Sequence, residues 1–475
     1  MENTSNNKKG QGFLDLNPEK AYGEVAFEID KKIESISLAW KDNTGFLSLY
    51  LYGPDKNLYA QAVTVQACGK RFISLDERLS SPCCKSPSSK ESFLGEWNLT
   101  YALVDNRGDL SLNITVEEAF DPKTEKVNER SILEEKTTGQ GDGKGLWFVG
   151  DFHTHTIYSD GKMTREENNE MARKQGLDFF IPTDHNIFHY SWPADNQVEV
   201  FPGTEITSSL GHINLLFAEK NPFEDHSIAE ISEEKSLIAF IEEAESFSLP
   251  SINHPFMPPW DFLLKEFPLD RLKVMEIIND PTYKDSEPAS KRAIKAWNYL
   301  LNDSYKVTGI GGSDSHLRPD QTYEGSAYPS LLGDPKTFVC AKSKSLEDLK
   351  AALIDGEVVV SRKEFIDFDL KGLDRDNEDF SGEISLEAWV KEDDFHDSKL
   401  YLNWILDGDT VKRDQGPNSS FKVSIDSAYH WIRVDVVDES ENLYGFTNPI
   451  YFNRSKADHK MSKWEDLMEK MANDY

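Results

Sequence analysis

The chain has 475 residues, which is too long for one ordinary hydrophobic core and predicts two or three domains. Its 84 acidic and 52 basic side chains give a formal charge of −32, which argues against a protein that grips the phosphate backbone of duplex DNA. Small anionic substrates remain compatible with this charge, because bound cations reverse the local sign of the field inside a pocket.

The amino-terminal segment and the cysteines indicate the compartment. The first ten residues are polar and lack the apolar core of a secretory signal, and no run of the chain reaches membrane-spanning length. Cys68 and Cys340 have no Cys-x-x-Cys partner, and a bridge between the adjacent Cys83 and Cys84 would be strained. We therefore predict reduced thiols in a cytoplasmic protein without a membrane partner.

Residues 1–145 are predicted to form a β-rich domain followed by a linker. Between residues 26 and 115, apolar and polar side chains alternate in strand-like segments such as Phe46–Tyr52, and turn residues such as Gly53-Pro54-Asp55 separate them. This pattern favours a β-sandwich. The glycine-rich residues 139–145 predict a flexible connection to the next domain.

In residues 146–362 short apolar strands alternate with helical segments, which is typical of an α/β domain. Thr164 followed by Glu167 predicts a capping box that opens a helix ending near Gly176, and Ser345 with Asp348 predicts the start of another. The predicted strands are 178–182, 199–201, 212–217, 250–252, 274–278 and 307–310, and the further predicted helices are 236–247 and 288–301.

The rest of the chain is predicted to contain a second, smaller β-rich domain over residues 363–455 and a helical tail over residues 456–475. Strand-like segments occur in the β-rich part at 384–390, 400–406, 421–425 and 431–437. In the tail, apolar side chains recur at helical spacing, which predicts a docked amphipathic helix over 456–471.

Six of the eleven histidines lie in short polar signals between residues 151 and 316, each close to an apolar run. A lone His-x-His is more often two partly solvated side chains than a metal site, but clustering of this kind is hard to ascribe to chance. Imidazole combined with carboxylate suits zinc, manganese and iron. A barrel of parallel strands would gather such positions around one mouth, because most of them directly follow a predicted strand.

These signals resemble the motifs of the polymerase-and-histidinol-phosphatase (PHP) superfamily, and in particular its CehA/McbA-type metallohydrolases. The resemblance covers roughly residues 146–362 and implies an α/β domain built as a distorted (β/α)7 TIM-like barrel, flanked by the amino-terminal β-sandwich and the small carboxy-terminal β domain. The matching residues, in chain order, are Asp151-Phe152-His153-Thr154-His155-Thr156, Ser159-Asp160-Gly161, Thr183-Asp184-His185-Asn186, Gly203-Thr204-Glu205, Gly211-His212, Asn253-His254-Pro255 and Ser313-Asp314-Ser315-His316.

The resemblance also implies a ligand set for two or three divalent ions (Zn, Mn or Fe). The first ion would be held by His153, His155, Glu205 and Asp314; a second, bridged by Glu205, by His212 and His254; and a third by Asp160, His185 and His316. For His212, the alternative is a histidine that is hydrogen-bonded within the barrel. Asp151 and Asp184 precede ligand histidines and would either orient imidazoles or act as caps or salt-bridge partners.

The resemblance predicts a metal-dependent hydrolase, specifically a phosphoesterase that acts on a small phosphorylated molecule through a metal-bridging hydroxide. The residues expected to take part in catalysis are Glu205, Asp314, His254 and Arg318. Arg318 and Lys162 suit a phosphate, although both would also suit a solvated rim.

Two other functions stay open. The apolar residues 255–260 favour a hydrolase of carboxylic or carbamate esters if they line the pocket, or simply a packed loop if they do not. The other alternative is a non-catalytic, metal-stabilised binding module. The sequence leaves the oligomeric state open.

Overall fold

The computed structural model describes residues 12–14, 22–41, 46–66, 68–105, 113–118, 129–133, 145–362, 365–370, 372–390, 399–456 and 459–473. Its architecture is mixed α/β and rich in sheets, with few helices in the described residues. None of these helices is both long enough and apolar enough to cross a membrane. All four cysteines are free thiols, as predicted, and Cys83 and Cys84 are buried.

The amino-terminal part is a β-sandwich, as predicted. Two four-stranded antiparallel sheets, in the orders β1-β8-β3-β6 and β2-β7-β4-β5, enclose a core that contains Leu38, Leu49 and Trp97. The eight strands of these sheets are β1 Gly12–Leu14, β2 Tyr22–Ile29, β3 Ser35–Lys41, β4 Phe46–Tyr52, β5 Leu58–Val63, β6 Gly69–Ser74, β7 Gly95–Asp105 and β8 Asn113–Glu118; the next strand, β9 Glu129–Ser131, lies outside both sheets.

The central part places all but one of its strands in two sheets; the exception, Ser191–Pro193, pairs with Glu129–Ser131. One sheet contains the order β13-β11-β10-β19-β20, and the other has the order β14-β15-β16-β17-β18. Its strands are β10 Leu146–Thr154, β11 Phe179–Pro182, β12 Ser191–Pro193, β13 Glu199–Val200, β14 Gly203–Ser208, β15 Gly211–Leu216, β16 Leu249–Ile252, β17 Val274–Asn279, β18 Thr308–Gly312, β19 Lys336–Ala341 and β20 Val358–Ser361.

Four helices accompany these strands: α1 Arg165–Lys174, α2 Glu234–Ala244, α3 Ser286–Asn302 and α4 Leu346–Asp355. The capping box at the start of α1 is confirmed, because Thr164 accepts a hydrogen bond from the Glu167 N–H and Glu167 accepts one from the Thr164 N–H. The cap at the start of α4 is also confirmed, because the Ser345 hydroxyl accepts a hydrogen bond from the Asp348 N–H.

The two central sheets meet at the ends of their strands, where isolated parallel bridges join Thr154 to Ser315 and His185 to Glu205. The expectation that all these strands run parallel is wrong: β14 pairs antiparallel with β15, and β10 pairs antiparallel with β19. Only Ser209 and Leu210 separate β14 from β15, which is too short for the crossover that parallel neighbours need. Glu205 and His212 therefore lie on adjacent strands of one hairpin.

In the carboxy-terminal part, the sheet that contains β10 continues through β20 into β28, β27, β24 and β25, while β21, β23 and β26 form a second sheet. The remaining elements are β21 Ile366–Asp369, β22 Asp376–Asn377, β23 Gly382–Val390, β24 Tyr401–Leu406, β25 Asp409–Gln415, β26 Asn418–Ile425, β27 His430–Val437, β28 Leu443–Thr447, β29 Ile450–Phe452 and α5 Trp464–Asn473.

Helix α5 confirms the docked amphipathic helix, although it begins at Trp464 rather than at residue 456. It buries Trp464, Leu467 and Met471. The predicted linker 139–145 lies outside the described residues except for Gly145. The predicted domain boundaries at residues 145, 362 and 455 stay predictions.

Candidate metal centre

The nine predicted ligands converge where the two central sheets meet. Their side chains form four overlapping groups, and within each group the ligand atoms lie within 4.8 Å of one another. The groups are His155, Asp160, His185 and His316; His153, Glu205 and His254; His153, His155 and Asp314; and His185, Glu205 and His212.

The Glu205 carboxylate lies at the middle of the cluster and is fully buried. Its Oε1 lies 3.3 Å from Nε2 of His153 and 3.1 Å from Nδ1 of His212, and its Oε2 lies 2.6 Å from Nδ1 of His185. A carboxylate whose two oxygens face different imidazoles has the geometry of a ligand that bridges two ions.

Two aspartates complete the cluster. Oδ1 of Asp314 lies 2.9 Å from Nε2 of His155 and 3.2 Å from Nε2 of His153. Oδ1 of Asp160 lies 3.0 Å from Nε2 of His316 and 3.4 Å from Nε2 of His185. The carboxylates therefore face imidazole nitrogens on both sides of the cluster.

The arrangement departs from the ligand partition that the resemblance implies at two positions. His212 groups with His185 and Glu205, whereas the expected pairing was with His254, and His155 also joins the group of Asp160. His212 and His254 remain neighbours, with ring centroids 5.0 Å apart. The set of nine ligands and its division among ions stay predictions.

Several of these buried polar atoms make no hydrogen bond of acceptable geometry among the described residues, although most of them lie close to an opposing ligand atom. They are Asp160 Oδ1, Glu205 Oε2, Asp314 Oδ1, His212 Nδ1 and His254 Nδ1. Buried polar atoms in proteins are normally satisfied, because leaving one unpaired costs about 1 to 3 kcal/mol. Imidazole nitrogens and carboxylate oxygens that face one another without bonding fit divalent cations, and they are the donors that zinc, manganese and iron take.

Hydrogen bonds fix the tautomers of three ligand imidazoles. Nδ1 of His153 lies 2.9 Å from Oε1 of Glu276, and Nδ1 of His316 lies 2.6 Å from the carbonyl oxygen of Asp314. Both acceptors require the proton on Nδ1, which leaves Nε2 as the free donor atom. Nδ1 of His155 lies 3.3 Å from the Ser159 hydroxyl, which in turn donates to Asp184 at 2.5 Å, so the same tautomer follows.

Glu276 contacts two predicted ligands and was not predicted from the sequence. It is buried in β17; besides facing His153, its Oε2 accepts hydrogen bonds from the His254 N–H at 2.9 Å and from Asn279 at 3.0 Å. A side chain at Gly312 would collide with this carboxylate, because a Cβ there would lie 2.1 Å from Oε1 of Glu276. One indication of this role was present in the sequence, because Glu276 is an acidic residue inside the mostly apolar strand Val274–Asn279.

The two aspartates that precede ligand histidines are now placed. Asp151 accepts hydrogen bonds from the N–H groups of His153, Ser313 and Gly333, so it caps backbone and does not touch an imidazole of the ligand set. Asp184 accepts from the Thr156 and Ser159 hydroxyls and lies 2.6 Å from Nε2 of His189. Asp184 is therefore linked to the His155 imidazole by hydrogen bonds through Ser159.

The backbone is unusual at several ligand positions. Asn186, His254 and Asp314 have φ angles of 51°, 27° and 47°, a region that residues other than glycine adopt at a cost. A Cβ at Gly161 would lie 2.7 Å from the carbonyl carbon of His155, which explains the glycine after Asp160. Strain of this kind clusters at functional sites.

The electrostatics keep Glu205 charged and His212 neutral, as a cation requires, but they favour a protonated His153. Burial opposes the charge on Glu205, but His153, His185 and His212 outweigh it and hold its pKa well below the usual range. Burial lowers the pKa of His212 to about 4, which keeps that imidazole neutral. Burial also opposes protonation of His153, but the carboxylates of Asp314 and Glu276 raise its pKa well above its usual value. Metal binding would therefore release a proton from His153.

The proposed phosphate partners lie at the surface. The Arg318 side chain is 49% exposed, donates to the Lys162 carbonyl oxygen, and lies 3.4 Å from Glu167 at the start of α1. The Lys162 N–H donates to the His316 carbonyl oxygen at 2.9 Å, while its side chain is exposed. A role for either side chain in substrate binding stays a prediction.

The apolar residues 255–260 divide between core and surface. Phe256 and Met257 are buried and pack the loop onto the core of the central part, as the packed-loop alternative predicted. Trp260 is half-buried, with its ring centroid 6.5 Å from that of His254 and 6.0 Å from that of Tyr283. Tyr283 in turn contacts Tyr323 at 5.4 Å. A row of three aromatic rings thus begins beside a predicted ligand.

Comparisons with known proteins leave the family open. No family model matches the chain, and no curated protein matches it. Among solved structures, it is similar to a two-domain protein from Bacteroides vulgatus that contains a predicted PHP-like metal-dependent phosphoesterase, with 18% identity over 69% of this chain and 99% of that one and a TM-score of 0.37. A β-glucuronidase from Bacteroides uniformis overlaps 94% of this chain and 64% of its own length at 12% identity, with a TM-score of 0.18. TM-scores this low establish neither a shared fold nor a shared activity.

Proposed function

We propose that this chain is a metal-dependent hydrolase of the PHP type, most closely of the CehA/McbA subgroup, and that it acts as a phosphoesterase on a small phosphorylated molecule. The observation that carries the proposal is the cluster of nine imidazole and carboxylate side chains, in which five buried polar atoms have no hydrogen-bond partner among the described residues. A site that only stiffened the fold would have no need of so many groups that are costly to desolvate.

We include in this proposal a distorted (β/α)7 barrel over residues 146–362. In its support, the bridges from Thr154 to Ser315 and from His185 to Glu205 link the ends of the two central sheets on both sides of the cluster. In such a barrel, ligands as far apart in sequence as His153 and His316, 163 positions, would lie at the same end of the strands. The free thiols are compatible with the cytoplasm, where we place the protein.

When bound, divalent cations at this cluster would activate a water molecule and neutralise the oxygens that gain charge during ester hydrolysis. The chain's own residues supply the frame for this chemistry. Glu205 and Asp314 would hold the ions, while Glu276 and Ser159 orient the imidazoles of His153 and His155. Because the ligands His153, His155 and Glu205 are fully buried, they are shielded from bulk water.

A second candidate function is hydrolysis of carboxylic or carbamate esters at the same cluster. The row formed by Trp260, Tyr283 and Tyr323 favours it, because half-buried aromatic rings beside His254 suit a planar, apolar substituent. The two candidates differ in the charge of the substrate group that faces the ligands.

The experiment that tests the proposal uses the full chain, stripped with a chelator and reloaded with Mn²⁺ or Zn²⁺. The assay substrates are 4-nitrophenyl phosphate, bis(4-nitrophenyl) phosphate and a 1-naphthyl carbamate, and Asp314→Asn is the inactive control. We expect metal-dependent turnover of a phosphate ester. Turnover of the carbamate alone would favour the second candidate, and full metal occupancy without any turnover would favour a metal-stabilised binding module.

A further inference from the structure

The β-sandwich contacts the loops that carry two of the predicted ligands. The relevant ligands belong to the group His155, Asp160, His185 and His316, which we call the Asp160 group. Asp160 and His185 lie on irregular segments that follow β10 and β11. Loops are the least rigid places for ligands, so these two positions depend on whatever packs against them.

The turn at His185 is held by strand β4 of the sandwich. The Tyr50 hydroxyl donates to the Asn186 carbonyl oxygen at 2.7 Å, and the Asn186 side chain donates to the Ser48 hydroxyl at 3.1 Å. Phe46, on the same strand, sets its ring against His185 with centroids 5.6 Å apart. Asn186 adopts a φ of 51°, so its left-handed turn is stabilised by the sandwich at both its carbonyl and its side chain.

The Asp160 loop is held by strand β6 of the same domain. Nη2 of Arg71 donates to the Tyr158 carbonyl oxygen at 2.9 Å, two residues before Asp160. The Arg71 guanidinium also lies 4.7 Å from the centre of the Tyr158 ring. Arg71 is 6% exposed, so solvent screens this contact little.

The hydrophobic packing of the two parts is interleaved as well. Ile187, which follows Asn186, packs in the core of the sandwich, whereas Tyr50 and Leu58 of the sandwich pack in the core of the central part. Gln61 adds a hydrogen bond from the Phe188 N–H to its side-chain oxygen at 3.3 Å. The sandwich and the residues 185–188 therefore form one packed unit.

We infer that the β-sandwich is a positioning element of the metal centre, with Tyr50 and Arg71 setting the places of His185 and Asp160 within the Asp160 group. This inference rests on the proposed function only in assuming that the cluster binds cations. Tyr50 and Arg71 contact residues that neighbour the ligands and not the reacting atoms, so they are positioning residues. Outer partners of metal ligands typically contribute on the order of 10- to 100-fold in affinity.

The test is an Mn²⁺ titration of the chelator-stripped full chain, with free Mn²⁺ followed by its electron paramagnetic resonance signal. Asp160→Asn should remove the Mn²⁺ sites that depend on the Asp160 group, which identifies this first class of sites in the titration. His254→Gln should remove sites outside that group, which form the second class. We expect Tyr50→Phe and Arg71→Met each to weaken the first class on the order of 10-fold and to spare the second. Tyr59→Phe and Arg78→Met are matched controls, because their polar groups bond Asp55 and Asp76 within the sandwich.

A double-mutant cycle separates positioning from general destabilisation. In the Asp160→Asn background, Tyr50→Phe should cause no further loss of Mn²⁺ binding, because the affected class is already gone. Equal weakening of both classes, or no weakening in either variant, overturns the inference while leaving the hydrolase proposal standing. Absence of Mn²⁺ and Zn²⁺ binding by the wild type overturns the hydrolase proposal itself, and turnover assays that fail despite normal binding leave the positioning role in place.

Discussion

Oε1 of Glu276 lies 2.9 Å from Nδ1 of His153, and both side chains are fully enclosed by the protein. The contact places the imidazole proton on Nδ1 and directs Nε2 at Glu205 and Asp314, 3.3 and 3.2 Å away. A carboxylate behind a ligand imidazole raises its basicity and fixes its orientation. The pair therefore links the apolar strand β17 to the centre of the ligand cluster.

Replacing Glu276 should weaken metal binding without unfolding the protein. We expect Glu276→Gln to reduce the affinity for Mn²⁺ or Zn²⁺ on the order of 10- to 100-fold, because the amide carries no charge to balance the imidazole and accepts its hydrogen bond more weakly. Competition with a chromogenic chelator measures the metal affinity. Glu357→Gln is the control, since Glu357 contacts Arg375 and lies outside the cluster. An unchanged affinity would reduce Glu276 to a packing residue.

Removing the central carboxylate should have a larger effect. We expect Glu205→Gln to lower the number of ions bound per chain and to reduce kcat at least about 100-fold, more than the loss of an outer partner costs. Elemental analysis and steady-state kinetics measure the two effects, and circular dichroism checks that the variant is folded. If activity and metal content both match the wild type, Glu205 does not bridge ions.

The ligand side chains could be predicted from sequence because each one lies in a short polar signal beside an apolar run. Glu276 carries no such signal, since its role depends on the register of β17 against β18 and on the space left by Gly312. The antiparallel hairpin β14–β15 was missed because no strand was predicted over Gly203–Ser208, whose polar side chains interrupt the apolar pattern. Contacts such as Tyr50 with Asn186 join residues 136 positions apart, and no local pattern announces them.

Arg318 offers a test of the substrate's charge. Its guanidinium is half-exposed and pairs with Glu167, so solvent reduces what it can contribute. We expect Arg318→Ala to raise KM for 4-nitrophenyl phosphate by about 3- to 10-fold and to leave KM for a neutral carbamate unchanged. Arg173→Ala, at the other end of α1 and paired with Asp195, is the control. Equal effects on both substrates would make Arg318 part of the solvated rim.

A titrating histidine far from the cluster predicts a pH effect on stability. Burial opposes protonation of His430, but its hydrogen bonds with Asp407 and Asp426 outweigh this and raise its pKa above the ordinary 6.5. A raised folded-state pKa means that the stabilisation is complete below pH 6.5 and is lost as the pH rises through the folded-state value.

We therefore expect His430→Gln to destabilise the protein at pH 5.5 by about 0.2 to 1 kcal/mol, since the pair is partly exposed, and to cost less at pH 8.5. Thermal unfolding at the two pH values, with the metal content held constant, measures the difference. Asp407→Asn should show the same trend because it removes the partner. A destabilisation that is equal at both pH values would show that the ion pair contributes nothing.

Trp260 tests whether the row of aromatic rings binds a substituent of the substrate. If the row of Trp260, Tyr283 and Tyr323 receives an aromatic substituent, removing the first ring should cost the contact energy of one aromatic pair, about 1 kcal/mol or roughly fivefold in KM. We expect Trp260→Ala to raise KM for naphthyl and nitrophenyl esters and to leave KM for methyl phosphate unchanged. Trp389→Ala, an exposed tryptophan in β23, is the control. If KM rises equally for methyl phosphate, Trp260 orders the loop that carries His254, and the carbamate candidate loses its structural support.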